Sequence, residues 1–214
     1  MDTKLTGKTR IESDLIGARE IPAEALYGVQ TLRGIENFSI SKFRLSEYPL
    51  FIKGLAITKM AAAMANFELG LLTVEQKDAI IAACGEILDG KHHDQFPVDM
   101  IQGGAGTTTN MNANEVIANR ALELMGHERG EYQYCSPNDH VNCSQSTNDA
   151  YPTAIHIGMY FKHLQLLPHL EELIASFRKK GEEFSQIIKM GRTQLEDAVP
   201  MTLGQTFNGF ASIL

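Results

Sequence analysis

Three stretches of this 214-residue sequence gather neutral hydrogen-bond groups beside predicted helix ends, the arrangement suited to holding a small anion without a competing buried charge. The first is Gln102-Gly103-Gly104-Ala105-Gly106-Thr107-Thr108-Thr109-Asn110-Met111-Asn112. Glycines let backbone approach a ligand, and the amides of a helix N-terminus attract negative charge, so Thr107 is placed to hold a carboxylate. A nucleotide is a poor fit here. The phosphate loop requires Gly-Lys-Ser/Thr, and the dinucleotide fingerprint requires Gly or Ala where Thr109 stands. The second stretch, Ser144-Gln145-Ser146-Thr147-Asn148-Asp149, follows Pro137-Asn138-Asp139-His140 and offers consecutive hydroxyl and amide groups for a dicarboxylate. The third, Gly191-Arg192-Thr193-Gln194, adds a cation and two further donors. Each stretch by itself also reads as a threonine-capped turn, an Asx or Ser/Thr turn, or a helix connector.

Other chemistries have weaker support. His92 and His93 are adjacent and point apart on any regular element, and His156 and His163 gain no third ligand at metal spacing, so no metal is expected. Ser146 lacks the Gly-x-Ser-x-Gly elbow of a serine hydrolase. Met60, Met64 and Met125 read as core filling.

The elements that must position these stretches are mostly helices. Residues 1–46 read as an irregular opening segment with one or two short strands or turns, and Pro22 is expected to start a short helical piece through Leu26. Phe51, Leu55, Thr58, Ala62, Ala65 and Leu69 recur at helical spacing, which predicts a helix over residues 49–69 capped by Gly70. Thr73 and Gln76 form a capping box before a second helix that Gly90 closes. A third helix follows the glycine turn to about Met125. Residues 134–151 are expected to be a loop with a short helix at most, followed from Pro152 by a long helix that Pro168 kinks or breaks near Leu167. Residues 189–200 read as a polar connection, and Thr202 opens a last, interrupted helix.

Composition sets the class. Apolar residues make up 43% and aromatics 7%, with no Trp, a balance that favours a mainly helical globular chain. The net charge of -7 offers no basic patch for nucleic acid. Three cysteines without CxxC spacing suit reduced thiols, no apolar leader is visible near the N-terminus, and residues 198–214 are too polar and short for a membrane span. A cytoplasmic protein is expected. The last residues, Phe210 to Leu214, are apolar and lack a cap or polar tail, and we read them as a cut through a helix.

Together, and in this order, the three stretches resemble the substrate-binding regions of the fumarase/aspartase superfamily. The likeness also takes in Arg19-Glu20-Ile21-Pro22, the run from Tyr27 to Arg33, Glu36-Asn37-Phe38, the run from Gln95 to Asp99, and the run from Gly191 to Gln205. Within the superfamily the aspartase branch is favoured. Fumarases typically carry histidine where this chain has Gln194 and Ser136, while the runs from Glu123 to His127 and from Gly130 to Tyr134 look like aspartases. Thr108 departs mildly, since the branch commonly has serine there.

The resemblance implies a mainly α fold, with an N-terminal lyase domain over residues 1–143 and the beginning of a central helical-bundle domain over residues 144–214. It implies reversible anti-elimination of ammonia from L-aspartate to fumarate without an organic cofactor, in a homotetramer whose sites are assembled from three subunits. By resemblance Thr107, Ser146 and Thr147 hold the carboxylate that becomes an aci-carboxylate, Asn148 helps place the amino group, and Thr193 and Gln194 contact the other carboxylate. The family's base is a serine on a mobile Gly-Ser-Ser-x-Met-Pro-x-Lys-x-Asn loop. This sequence contains no such segment, so no catalytic base is assigned within it and no lyase activity is expected of these residues alone. The alternatives are a fumarase-type hydro-lyase and a non-catalytic helical assembly module.

Overall fold

The computed structural model describes residues 7–214, and what the sequence suggests for residues 1–6 lies outside the described residues. The order is β1 (Thr9–Asp14), β2 (Gly17–Pro22), α1 (Val29–Asn37), α2 (Pro49–Glu68), α3 (Val74–Leu88), α4 (Thr107–Leu124), α5 (Thr147–Glu183), β3 (Ile188–Thr193), β4 (Glu196–Thr202) and α6 (Leu203–Ile213). The fold is mainly α. Backbone contacts divide it into a unit ending at Met159 and a unit Tyr160–Leu214, a division that falls inside α5.

In the first unit α4 is the central helix, buried nearly all round from Thr109 to Leu122. Against it pack α3, through Ile80, Ala83, Cys84 and Ile87, and α2, through Ile52, Leu55, Ala56 and Ala63. The buried line of α2 lies about one residue round from the predicted stripe and includes Lys59 and Asn66. Alone among the described helices, α2 is long and apolar enough to cross a membrane by composition, yet its buried side belongs to this core. The capping box before α3 forms as predicted, with the Gln76 amide N–H donating to Thr73 Oγ1 at 3.2 Å and Thr73 N–H to Gln76 Oε1 at 3.1 Å.

Three expectations are corrected. Pro22 ends β2 instead of starting a helix, and α1 appears where none was predicted. Its N-cap, Gly28, has no side chain to cap with. The cap is Glu115 of α4, which accepts from Gly28 N–H (2.8 Å), Gln30 N–H (2.8 Å), Thr31 N–H (3.0 Å) and Thr31 Oγ1 (2.6 Å). A cap supplied from across the fold leaves no local signal. Secondly, α5 runs through Pro168 without a break. Proline frees the carbonyl of Leu164, but that stretch is exposed in this chain, so the freed carbonyl is not buried without a partner. Thirdly, residues 189–200 fold into the β3–β4 hairpin.

The second unit is held by an aromatic cluster in which Phe207 of α6 lies 5.3 Å from Phe184 and 6.0 Å from Phe177, ring centre to ring centre. Thr202 opens α6 as predicted, capping it by accepting from Gln205 N–H at 3.1 Å, but the expected interruption is absent and α6 runs unbroken over Leu203–Ile213.

An ion-pair network staples α3 to α4. Arg120 grips Glu86 through Nε (2.6 Å) and Nη2 (2.9 Å) and reaches Glu123 through Nη1 at 2.7 Å. Hydrogen bonds from Arg120 bring the Glu86 carboxyl down from its ordinary 4.5 to about 2. A depressed carboxylate stabilises the fold above its unfolded value, and that contribution is lost as pH falls through the folded one. The interval from 4.5 to about 2 sets an upper limit of roughly 3 kcal/mol, which partial exposure screens to on the order of 1 kcal/mol. Urea unfolding between pH 5 and 2 should therefore show E86Q losing less stability on acidification than the parent chain. Parallel curves would refute the linkage.

Candidate functional site

The first two predicted stretches come together in the first unit. Gly104 and Gly106 adopt φ of +69° and +89°, and these left-handed steps turn the chain into the N-terminus of α4, where Thr107 is the first residue. Gln102 fastens the turn to the helix, donating through Nε2 to Thr109 Oγ1 at 2.5 Å and accepting from Thr109 N–H at 2.8 Å. A cleft of about 680 Å³ opens over it, lined by Gln102, Gly104, Gly106, Asn148, Tyr151 and Pro152 among others. Asn148 of the second stretch thus faces the glycine turn of the first. The two approach so closely that a Cβ on Gly106 would strike the ring of Tyr151, which itself packs edge-on against Phe51 at 5.5 Å.

The second stretch is divided: Ser144 to Ser146 stay outside any helix, as predicted, while Thr147 to Asp149 form the first turn of α5. Ser146 Oγ accepts from Asn148 N–H at 3.2 Å, as an N-cap does. Thr147 Oγ1 accepts from Asn110 Nδ2 at 3.2 Å, which ties α5 to α4. Thr107, Ser146 and Asn148 are exposed and Thr147 is half-buried, so all four can reach a ligand from solvent. A smaller cavity of about 200 Å³ lies beside Thr107 and Thr108, with Asp14 and Arg33 in its wall already paired at 2.8 Å.

Thr193 and Gln194 belong to the second unit. Thr193 ends β3 opposite Glu196, and Gln194 and Leu195 form the two-residue turn with φ of +53° and +68°. Both predicted residues are exposed. The left-handed pair suits a hairpin that twists with its strands. It was illegible because neither position is Gly, Asn or Asp.

Sequence reasoning missed Lys59. It is fully buried on α2, and its Nζ donates to Asn110 Oδ1 (2.7 Å), Asn142 Oδ1 (2.9 Å) and Gln145 Oε1 (3.0 Å). Burial pulls its ammonium down to about 7. A lysine on the core side of an apolar helix is a signal, visible once the stripe is drawn through Ile52, Ala56 and Ala63. Ser136, where fumarases carry histidine, caps a short π-turn (Pro137–Val141), its Oγ accepting from Asp139 N–H at 3.1 Å. Its own N–H donates to His140 Nδ1 at 2.7 Å, and burial pulls that imidazole below its ordinary value. Among the described residues no three His, Cys, Asp or Glu gather as a metal set.

A profile of the lyase family matches residues 17–214. The chain is 60% identical over 205 residues to an aspartate ammonia-lyase of Pseudomonas canavaninivorans, covering 96% of this chain and 43% of that protein. It is 57% identical over 211 residues to the aspartate ammonia-lyase of Escherichia coli K12, covering 98% of this chain and 44% of that protein. The crystal structure of a fumarate lyase/delta crystallin from Brucella melitensis superposes with a TM-score of 0.89 at 54% identity, over 96% of this chain and 45% of that one. The chain thus spans less than half the length of the relatives it matches.

Proposed function

Because the chain belongs to the lyase family, we propose that the protein carrying it is an aspartate ammonia-lyase, converting L-aspartate to fumarate and ammonia. The observation that carries this reading is the cleft in which Asn148 faces the glycine turn that leads into α4. Much of its wall is apolar, with Met100, Ile101, Ala105 and Pro152, but Gln102 and Asn148 offer amides, Tyr151 offers a hydroxyl, and no lining carboxylate repels a dicarboxylate. Transfer of a proton from C3 of aspartate to a base, which by resemblance is the family's loop serine, loads charge onto the neighbouring carboxylate, giving an aci-carboxylate. The C2–nitrogen bond then breaks, and ammonia leaves with its electron pair. Fixed donors aimed at the carboxylate lower that barrier.

In this reading Thr107, Ser146 and Thr147 hold the carboxylate that takes up charge. Asn148 places the amino group, and Thr193 and Gln194 hold the other carboxylate. The two sets meet when copies assemble as a homotetramer, which exposed apolar residues of the second unit such as Leu166 and Ile188 support. The site needs no organic cofactor, and a cytoplasmic location fits the thiols. Gln194 and Ser136 favour ammonia over water as the leaving group, since a fumarase would carry histidines there.

The test is to express the gene product, including whatever its gene encodes beyond Leu214, and follow fumarate absorbance from L-aspartate and from L-malate. Turnover of aspartate at least about a hundredfold more efficient than malate is expected. Malate turnover without aspartate turnover would replace this reading with a hydro-lyase, and turnover of neither would favour a non-catalytic module. Residues 1–214 alone, which contain no counterpart of the family's serine loop, should form no fumarate.

A further inference from the structure

We infer that Lys59 is a positioning residue of the carboxylate site, its buried ammonium locking Asn110 and Gln145 so that residues 146–148 are held in place and a bound dianion is met by a buried positive charge. This rests on the ammonia-lyase reading above and concerns a residue that the proposed contacts to substrate do not include.

The network has one consistent orientation. Asn110 gives its Nδ2 hydrogens to Asn142 Oδ1 at 3.1 Å and Thr147 Oγ1 at 3.2 Å, leaving its own oxygen for Lys59. Asn142 gives Nδ2 to Gln145 O at 3.1 Å, and Gln145 gives Nε2 to Val141 O at 2.9 Å and Cys143 O at 3.1 Å. All three side-chain oxygens therefore converge on Nζ, at 2.7, 2.9 and 3.0 Å. An ammonium has three N–H donors and matches this cage, whereas a neutral amine would turn a lone pair toward one of the oxygens. Removing the ammonium leaves three amide oxygens, that of Asn110 buried and those of Asn142 and Gln145 partly buried, facing one another. From the cage one path runs through Asn110 to the Thr147 hydroxyl, and a second runs along the chain from Gln145 into Ser146.

Among the described residues the charge has no carboxylate paired with it. Cys84 of α3 is the ionisable group that acts on it, and burial pushes that thiol up to about 12, so it is neutral. Asn110 of α4 and Asn142 and Gln145 beyond the π-turn are neutral amides. His140 in the π-turn is engaged by Ser136 and Gln76, and burial favours its neutral form. With Lys59 brought down to about 7, a bound dianion that stabilises the ammonium must draw a proton in above that pH. Affinity for fumarate should thus weaken as pH rises above about 7.

The experiment uses the gene product with fumarate as the probe. Isothermal titration at pH 8 in buffers of different ionisation enthalpy reads proton uptake on binding, and K59M and K59Q are compared with the unmodified protein. The expected result is net uptake by the unmodified protein, none by either variant, and a fumarate dissociation constant raised at least about thirtyfold in the variants. Uptake is read without any substitution, so misfolding of a variant does not shield the idea. An unmodified protein that binds fumarate with no proton uptake, or variants that keep both uptake and affinity, overturn the role of Lys59 alone. An unmodified protein that binds no fumarate at all overturns the ammonia-lyase reading as well.

Discussion

Replacing Gly106 by alanine is expected to cut fumarate affinity, and turnover by the gene product, at least about a hundredfold, equivalent to roughly 3 kcal/mol. Two costs act at one position. The φ of +89° is left-handed, where an L side chain costs on the order of 1–2 kcal/mol. The new Cβ also collides with the ring of Tyr151, a contact that neither the helix N-terminus nor the first turns of α5 can yield without moving. Tyr151 is wedged against Phe51 and lines the cleft with Asn148, so relief of the clash widens the gap between the groups proposed to bracket the substrate. Gly126→Ala is the control. Its φ of +82° carries similar strain, but nothing lies within 4 Å of the added Cβ. It should lose about 1 kcal/mol of stability and little binding. Calorimetric titration of both variants with fumarate decides the matter, and equal affinities would sink the proposed geometry.

The second large effect is on stability. Glu115→Leu should cost about 4 kcal/mol, because the buried N–H groups of Gly28 and Thr31, the partly buried N–H of Gln30 and the Thr31 hydroxyl lose their acceptor. Burial raises the Glu115 carboxyl above its ordinary value, while those hydrogen bonds pull it back. The consequence reaches the cleft, because α1 packs its Gly34 directly against Thr108 in the first turn of α4. Denaturant unfolding measures the loss, and a difference below about 1 kcal/mol would show that α1 does not depend on this cap. Glu115→Gln should fall between, since it keeps one acceptor oxygen but turns an amide N–H toward a backbone donor.

Which parts of this protein were legible follows from where the determining groups sit. The sequence by itself determined α2, α3, α4 and α6, because their caps and apolar spacing are local: Thr73 with Gln76, Thr202 with Gln205, Gly106 before Thr107. It also determined the superfamily likeness, since whole segments of unusual composition recur in order. Tertiary structure alone decided the rest. The cap of α1 arrives from Glu115 on another helix, and the turn between β3 and β4 forces left-handed geometry on Gln194 and Leu195. Proline at 168 was overridden because the freed carbonyl lies on an exposed stretch, and exposure is not contained in a one-dimensional pattern. For the site, the sequence supplied Thr107, Ser146, Thr147 and Asn148 as separate leads, and folding placed Asn148 opposite the glycine turn. Lys59 left one trace, a lysine on the apolar side of α2, but folding decided its place beside the site, because a lysine's meaning depends on whether water surrounds it. Here three amide oxygens do.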